Sequence, residues 1–283
     1  MTFSSEPQAP MPAYFIGHGS PYLLDEAQYP PDHPVSQGMN RIGQEILAQR
    51  PRAMLIVSAH WQSEKSGCST GVQINSMSPT PQPLIYDFKG FADWLYRVQF
   101  AYKPDTSFST EVTNLLRSAD IPVDQVDRGF DHGVWAPLKK SGLDNAPFPI
   151  VQLSLFAGES MSAHLQLGKV LGPLRYEGVV IVGSGMAVHN LYDYFSARSS
   201  DVLSYVEPFD REVDAAVLQP LGTNRNAELV KLKQSKLLST AHPTLEHLLP
   251  LYVVVGAAFS AAETEKMLEN YEISISWSCY KFN

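Results

Sequence analysis

Short apolar runs that stop abruptly at polar residues recur along this chain, and they predict buried strands. The sharpest run covers residues 54–57, Met-Leu-Ile-Val, and continues into Ser58, Ala59, His60 and Trp61. Four consecutive apolar residues suit a strand that is buried on both faces, as in a parallel sheet. We therefore expect His60 just past the carboxyl end of this strand. The other predicted strands are residues 13–16, 122–126, 149–156, 179–182 and, alternating with serines, 273–277.

Helical periodicity separates these runs. Residues 35–49 place Met39, Ile42 and Ile46 on one apolar face, and Pro51 ends the pattern. A strand, a helix and a strand in succession predict an α/β fold: a single domain with a mostly parallel central sheet flanked by helices. The other predicted helices are residues 109–117, 163–171, the solvated stretch 194–235 and a helix that starts near Pro243 and continues through 248–258.

The domain boundaries follow from composition. Residues 1–12 are rich in Ser and Pro and predict a flexible leader, whereas residues 13–283 contain no repeat or linker and predict a single catalytic domain. The charges of Asp210, Arg211, Glu212 and Asp214 are expected on the solvated surface.

Overall charge and cysteine content exclude several classes of protein. The chain has 283 residues, 44% hydrophobic and 18% charged, with a net charge of −8. This balance argues against a nucleic acid or an anionic membrane as the main partner. Cys68 and Cys279 are too few for a disulfide framework or a cysteine zinc cluster, which favours a reducing, cytoplasmic location. No apolar run reaches the roughly 18 residues of a membrane span.

Five of the eight histidines occupy positions from which a side chain can reach one sheet edge. They lie in glycine-bounded turns, at strand ends or at a helix start, whereas His33 and His164 look structural and His242 is ambiguous. Any one of the five would more often be structural, but parallel strands bring their carboxyl ends together. The set therefore predicts a metal site at the carboxyl ends of the strands. Its members are His18, His60, His132, His189 and His247.

The residues alone leave the metal and the reaction open. Several imidazoles with few thiols suit Zn²⁺ or non-haem Fe(II), and Glu246 could complete a facial triad. Zinc hydrolysis needs one open position for water, whereas a diol and dioxygen need more. Gly183-Ser184-Gly185 is not a dinucleotide fingerprint, because Val188 stands where the third glycine belongs.

Seven motifs, in this order, resemble the DOPA-type extradiol aromatic ring-opening dioxygenases of the LigB-type class III superfamily. The resemblance covers about residues 13–282. The chain departs from the family pattern at three positions: Tyr86 stands where the family commonly has histidine, Lys89 where it has glycine and Leu245 where it has proline. The motifs are Phe15-Ile16-Gly17-His18-Gly19-Ser20-Pro21, Val57-Ser58-Ala59-His60-Trp61, Tyr86-Asp87-Phe88-Lys89-Gly90-Phe91, Phe130-Asp131-His132-Gly133-Val134-Trp135, Val151-Gln152-Leu153-Ser154, Gly183-Ser184-Gly185 with His189-Asn190-Leu191, and Pro243-Thr244-Leu245-Glu246-His247.

This resemblance implies a mononuclear metal held by His18, His60 and His247. His189 would lie beside it as a base that could also coordinate the metal. Fe(II) is expected for activity, and Zn(II) could occupy the purified protein. Glu246 is the less favoured ligand, because adjacent helix residues point about 100° apart and it should not face the metal together with His247.

The resemblance also implies the substrates, a catechol such as DOPA or a related diol, and dioxygen. His132, held by Asp131 or a backbone group, would hydrogen-bond the substrate or the oxygen and later donate a proton. Asp131 and the aromatic residues Trp61, Phe88 and Trp135, with Phe91, would contact the substrate. Two alternatives remain at this point: a zinc-dependent hydrolase that uses the same histidines, and a chelatase-like metal-binding protein. The sequence leaves open whether the chain forms a homodimer.

Overall fold

A mostly parallel sheet lies at the centre of the molecule. The computed structural model describes residues 9–63, 71–75, 80–219, 225–260 and 263–283, so Cys68 lies outside it. In these ranges eight strands pair in the order β4-β3-β5-β2-β6-β1-β11-β8, and β7, β10 and β9 form a second, small sheet. The strands are β1 Ala13–Gly17, β2 Ala53–Gln62, β3 Val72–Asn75, β4 Val123–Val126, β5 Ile150–Leu155, β6 Val179–Gly185, β7 Val188–His189, β8 Thr264–Leu268, β9 Tyr271–Glu272, β10 Ile275–Ser276 and β11 Cys279–Phe282.

The four central strands β5, β2, β6 and β1 run parallel, as their apolar sequences predict. Met54 pairs with Ile150 on one side of β2, and Ala53 pairs with Val179 on the other. Antiparallel strands lie at both flanks, because β11 returns beside β1 and β3 runs against β5. All residues of β1, β5 and β6 are buried, which confirms the predicted α/β architecture.

Helices cover both faces of the sheet. Several begin at side-chain caps: Asp105 accepts a hydrogen bond from the Phe108 amide, and Ser160 accepts one from the Ala163 amide. No helix in the described ranges is long and apolar enough to cross a membrane. The helices are α1 Pro34–Gln49, α2 Thr106–Ser118, α3 His132–Lys140, α4 Met161–Leu171, α5 Leu191–Ser196, α6 Val206–Val217, α7 Arg225–Lys231, α8 Leu238–Ala241 and α9 Leu249–Ala257.

The stretch 194–235, predicted to be helical and solvated in most of its length, contains separate helices and a buried charge. Helices α5, α6 and α7 divide it, and Asp210 in α6 is fully buried instead of lying on the surface. Its carboxylate accepts hydrogen bonds from Ser276 at 2.6 Å, Ser278 at 2.9 Å and the Lys266 ammonium at 2.9 Å. The sequence pattern missed this because the partners lie more than 50 residues away. Asp210 thus anchors the segment between β9 and β11.

Three other element boundaries differ from their predictions. The predicted strand 273–277 is a hairpin of β9 and β10, because Ile273 has a left-handed φ of 45° and turns the chain. The helix expected from Pro243 begins at Leu249, with Pro250 in its first turn. The predicted leader ends too late: Met11 is buried, and its amide donates to the Arg175 carbonyl at 2.9 Å.

Candidate metal centre

Two central strands and the loops beside them deliver histidines to one edge of the sheet. His18 follows β1, and its amide donates to the Gly185 carbonyl at the end of β6 at 3.2 Å. His60 lies within β2 instead of past its end, because the strand continues through an irregularity until Gln62 pairs with Leu155. Both imidazoles therefore come from the carboxyl ends of parallel strands, β1 and β2, which lie on either side of β6.

The other three histidines come from less regular segments. His132 is the first residue of α3 instead of a turn residue, with Asp131 at the cap position. His189 ends β7 and pairs with Ile275 in the small sheet. His247 lies in the turn before α9, where its carbonyl accepts a hydrogen bond from the Met186 amide at 2.9 Å.

These five imidazoles converge, as the sequence predicted. The ring centre of His18 lies 4.9 Å from that of His60 and 5.2 Å from that of His247, and the His60 and His247 rings are 5.1 Å apart. The His132 ring lies 4.0 Å from His60, and His189 stacks on His247 at 3.5 Å. Nitrogen atoms of His18, His60 and His132 lie within 4.8 Å of one another and could hold a metal ion.

Hydrogen bonds fix which nitrogen of His18 and His60 carries the proton. The Ser184 hydroxyl donates to the Gly133 carbonyl, so it can only accept from Nδ1 of His18, 3.0 Å away. Nδ1 of His60 lies 3.0 Å from Oδ2 of Asp87 and donates to that carboxylate. Both rings therefore direct Nε2 into the cluster, unprotonated in the neutral form of each ring, and these two atoms are 3.1 Å apart.

Carboxylates fix the rings of His132 and His247 in the same way. Nδ1 of His132 donates to Oδ1 of Asp87 at 2.7 Å, and Nδ1 of His247 lies 3.0 Å from Oε1 of Glu246. The expectation that Asp131 or a backbone group holds His132 is corrected, because the partner is Asp87. Glu246 is the hydrogen-bond partner of His247. Both residues lie in the turn before α9, so the helical spacing that was expected to point them in different directions does not apply to them.

The donor set fits a divalent transition metal. Unprotonated imidazole nitrogens converge, and carboxylates or a hydroxyl hold the opposite nitrogens of the same rings, which is the usual arrangement behind histidine ligands. Two lone pairs 3.1 Å apart repel each other unless a cation or a proton lies between them. Imidazole ligands without thiols suit Zn²⁺ and Fe(II) alike.

Burial keeps most of the cluster neutral. It lowers the pKa of His18 and His247 well below the ordinary value, and neighbouring imidazoles lower these pKa values further. Burial also lowers the pKa of His189 to about 3. For His60, burial acts in the same direction, but the hydrogen bond to Asp87 and nearby carboxylates raise its pKa overall. Neutral imidazoles are the form that binds metals.

A cavity of about 560 Å³ opens beside the histidines, within the usual size range of small-molecule sites. Phe88, which was expected to contact substrate, lines it together with Phe91. His60, His132, His189 and His247 also face the cavity. The remaining side chains of its wall are mainly aromatic, polar or charged: Tyr22, Gln28, Tyr29, Asp87, Lys89, Tyr194, Phe195 and Glu272.

Three residues expected in the substrate pocket lie in the core instead. Trp61 is only 5% exposed and packs under the Arg128 guanidinium, 4.4 Å from its ring centre. Trp135 is fully buried, and its indole donates to the Ile85 carbonyl at 3.1 Å. Asp131 is also fully buried and accepts hydrogen bonds from Ser58 and Gln152, each at 2.7 Å. Motif membership did not reveal that these side chains point away from the cavity.

The Gly-Ser-Gly motif brings β6 close to the turn that carries His247. A Cβ atom added at Gly185 would lie 2.2 Å from the His247 carbonyl oxygen, and one at Gly183 would lie 2.5 Å from the Pro250 carbonyl oxygen. Ser184 between them holds His18. The glycines therefore permit a close backbone approach at the metal centre, and sequence reasoning had given them no role.

Comparisons with known proteins agree with this architecture. The family model described as the catalytic LigB subunit of aromatic ring-opening dioxygenase matches residues 12–282. A "4,5-DOPA dioxygenase extradiol" of Beta vulgaris is 30% identical over 95% of both chains. One of the same description from Escherichia coli is 33% identical over 87% of this chain and 85% of its own. The crystal structure of an uncharacterized Escherichia coli K12 protein superposes with a TM-score of 0.76 and 27% identity, covering 96% of this chain and 100% of that one.

Proposed function

The chain belongs to the family of the catalytic LigB subunit of aromatic ring-opening dioxygenases and is a metal-dependent extradiol ring-opening enzyme, and we propose that its metal is Fe(II), held by His18, His60 and His247. The observation that carries this proposal is that three rings, each held at Nδ1, lie with their centres 4.9 to 5.2 Å apart. Fe(II) is proposed because a diol and dioxygen need a redox-active centre with several open positions.

Two sets of three histidines in the cluster could hold the metal, and they differ in the third ligand, which is either His132 or His247. His132 lies closer to His60 than His247 does, but its Nδ1 shares Asp87 with His60. His247 has its own carboxylate partner, Glu246, and its ring lies about equally far from His18 and His60. We therefore assign His247 to the metal and leave His132, which faces the cavity, to the substrates.

The protein's own residues can orient the substrate and move its protons. The bound metal would supply the Lewis-acidic, redox-active centre at which a catechol and dioxygen meet. His189 is neutral at pH 7, because burial lowers its pKa to about 3, so it has a free lone pair for a catechol hydroxyl proton. The negative charge of the substrate would raise this pKa as the proton transfers. His132 donates its Nδ1 proton to Asp87, so its other ring nitrogen can first accept a proton from the substrate and later return it.

The aromatic wall suits a planar ring. Phe88 lies edge-on to His132, with ring centres 5.8 Å apart, and Phe91 packs on Phe88 at 5.0 Å. A catechol ring can stack between such side chains while its two oxygens face the histidines. The relatives from Beta vulgaris and Escherichia coli are named for DOPA, so we propose DOPA or a related substituted catechol as the substrate class.

The zinc hydrolase and the chelatase-like protein are less well supported. The family match extends over residues 12–282, whereas the resemblance to chelatase-like proteins ends after the first strand and its His-Gly-Ser turn. A hydrolase would leave the aromatic wall of the cavity and the position of His132 without an evident role.

Metal content of alanine variants tests the ligand assignment. His247→Ala should lose stoichiometric metal, and Glu246→Ala should retain it with lower affinity. His132→Ala should retain metal and lose turnover. Loss of metal in Glu246→Ala but not in His247→Ala, or loss in His132→Ala with retention in His247→Ala, would contradict the assignment. Anaerobic reconstitution with Fe(II), followed by oxygen uptake on a panel of catechols with a Zn²⁺ control, tests the reaction.

A further inference from the structure

We propose that Glu272 selects catechols whose side chain carries a positively charged nitrogen, such as a primary ammonium group. This inference rests on the proposed ring-opening function and specifies the substrate of the same cavity. Glu272 is the last residue of β9, and it lines the cavity together with Tyr29 and Ile275.

The chain holds Glu272 at the cavity through a hairpin that is anchored from behind. Tyr271, one residue earlier, donates its hydroxyl to the buried Asp210 at 3.0 Å, and Ser276 donates to the same carboxylate at 2.6 Å. Between them, Ile273 has a φ of 45°, a left-handed conformation that is strained for a β-branched residue. The fold therefore tolerates local strain at the turn that presents Glu272.

Neutral groups hold the carboxylate in place and leave its charge unbalanced. The Tyr29 hydroxyl lies 2.8 Å from Oε2 and 3.0 Å from Oε1, and the Trp277 indole donates to Oε1 at 3.0 Å. Among the described residues, Glu272 forms no ion pair with a lysine or an arginine. Burial raises the pKa of Glu272, and the two hydrogen bonds and a weaker interaction with His33 offset this only in part. A cationic group on the ligand would offset the free-energy cost of burying the charged form of Glu272.

The other charged residues of the cavity wall do not offer the same site. Asp87 is already shared by His60 and His132. Lys89 has the opposite sign, and it forms no ion pair within the described ranges. Glu272 is therefore the carboxylate of the wall that remains for a ligand. A neutral substituent on the catechol would leave the negative charge of Glu272 uncompensated, and an anionic substituent would be repelled by this charge.

Three catechols of similar size separate charge from shape: dopamine is cationic, 4-ethylcatechol is neutral, and 3,4-dihydroxyphenylacetate is anionic. Their dissociation constants would be measured by anaerobic calorimetry on the zinc-loaded protein, which reports binding without turnover. We expect the wild type to bind dopamine most tightly. Glu272→Gln should weaken dopamine binding roughly tenfold or more, as expected for a lost hydrogen bond to a charged group. Its affinity for 4-ethylcatechol should stay within about twofold, because Gln keeps an acceptor for Tyr29 and Trp277.

Lys89→Met is the matched control, since it also removes one charge from the wall. It should not weaken dopamine binding, and Glu272→Asp should lose less affinity for dopamine than Glu272→Gln. An unchanged dopamine affinity in Glu272→Gln, or an equal loss for all three catechols, would overturn the proposal. Oxygen uptake by the Fe(II) wild type with dopamine at a saturating concentration tests ring opening separately. Failure there, with the charge-specific effect intact, would reject the reaction and keep the cation site.

Discussion

The Nε2 atoms of His18 and His60 lie 3.1 Å apart, and the Nδ1 atom of each ring donates a proton to a fixed acceptor. When both rings are neutral, the two Nε2 atoms direct lone pairs at each other. This arrangement is unfavourable without a proton or a cation between them, and a metal ion accepts both lone pairs at once. The described chain thus holds these two rings in the form that a metal requires.

Ser184→Ala tests whether this hydrogen bond prepares His18 for the metal. The variant removes the acceptor for Nδ1 of His18 and leaves the ring free to change its tautomer. We expect metal affinity to fall roughly 10- to 100-fold, the usual cost of losing the partner behind a ligand. Competition with a chromophoric chelator measures it. Ser118→Ala, at an exposed serine at the end of α2, is the control, and equal affinities in the two variants would contradict this role.

Asp87→Asn tests the carboxylate that His60 and His132 share. Asparagine keeps one acceptor oxygen, but its NH₂ group cannot accept a hydrogen bond from the second ring. Metal affinity should fall roughly 10- to 100-fold, and kcat of the remaining metal-loaded enzyme should fall further because His132 loses its orientation. Metal titration and steady-state oxygen uptake separate the two effects. Asp93→Asn, at an exposed position, should behave like the wild type; an Asp87→Asn enzyme with normal kcat would remove His132 from proton transfer.

Gly185→Ala tests the close approach between β6 and the turn that carries His247. The added Cβ would lie 2.2 Å from the His247 carbonyl oxygen, which is a backbone atom, so the turn must shift. We expect weaker metal binding together with a lower melting temperature. Gly158→Ala is the matched control, because a Cβ at that position meets no atom within 4 Å. Unchanged metal affinity in Gly185→Ala would show that His247 does not depend on this contact.

The stability of the metal-free protein should fall as the pH is lowered from about 6.5 to 4. Burial lowers the pKa of both His164 and His242 to about 4, so both are neutral in the folded state at pH 6. The unfolded chain takes up these protons first, near pH 6.5. Each group therefore contributes stability that is fully present above pH 6.5 and decreases by up to about 1.4 kcal/mol per pH unit below it.

Urea unfolding at pH 7 and pH 5.5 measures this loss. His164→Gln should reduce the pH dependence by the contribution of one group. A free energy of unfolding that is flat or rises on acidification would contradict the account. His60 acts in the opposite direction, because its pKa is raised.

Local patterns predicted the central architecture well. The apolar runs at β1, β2, β5 and β6 needed no tertiary information, because strands buried on both faces have continuous apolar sequences. The convergence of His18 and His60 followed from the rule that parallel strands end at a common edge. Phe88 lines the cavity, and its expected contact with substrate stays a prediction.

The side-chain partners could not be predicted in the same way. Asp87 lies 45 residues before His132, and Glu272 lies 243 residues after Tyr29, so only the tertiary fold brings these groups together. Trp61 and Trp135 belong to motifs that contain site residues, yet a motif does not show on which side of the backbone a side chain points. Asp210 looked like surface charge because its hydroxyl and ammonium partners come from the far end of the chain.

Oxygen consumption by the Fe(II)-reconstituted wild type, followed together with isotope-labelled dioxygen, tests the central claim most directly. The account predicts that one dioxygen disappears for each catechol opened, that both labelled atoms appear in the ring-opened product, and that the zinc-loaded protein is inactive. No oxygen uptake with any catechol, release of hydrogen peroxide in place of labelled product, or hydrolysis catalysed by the zinc form alone would contradict it.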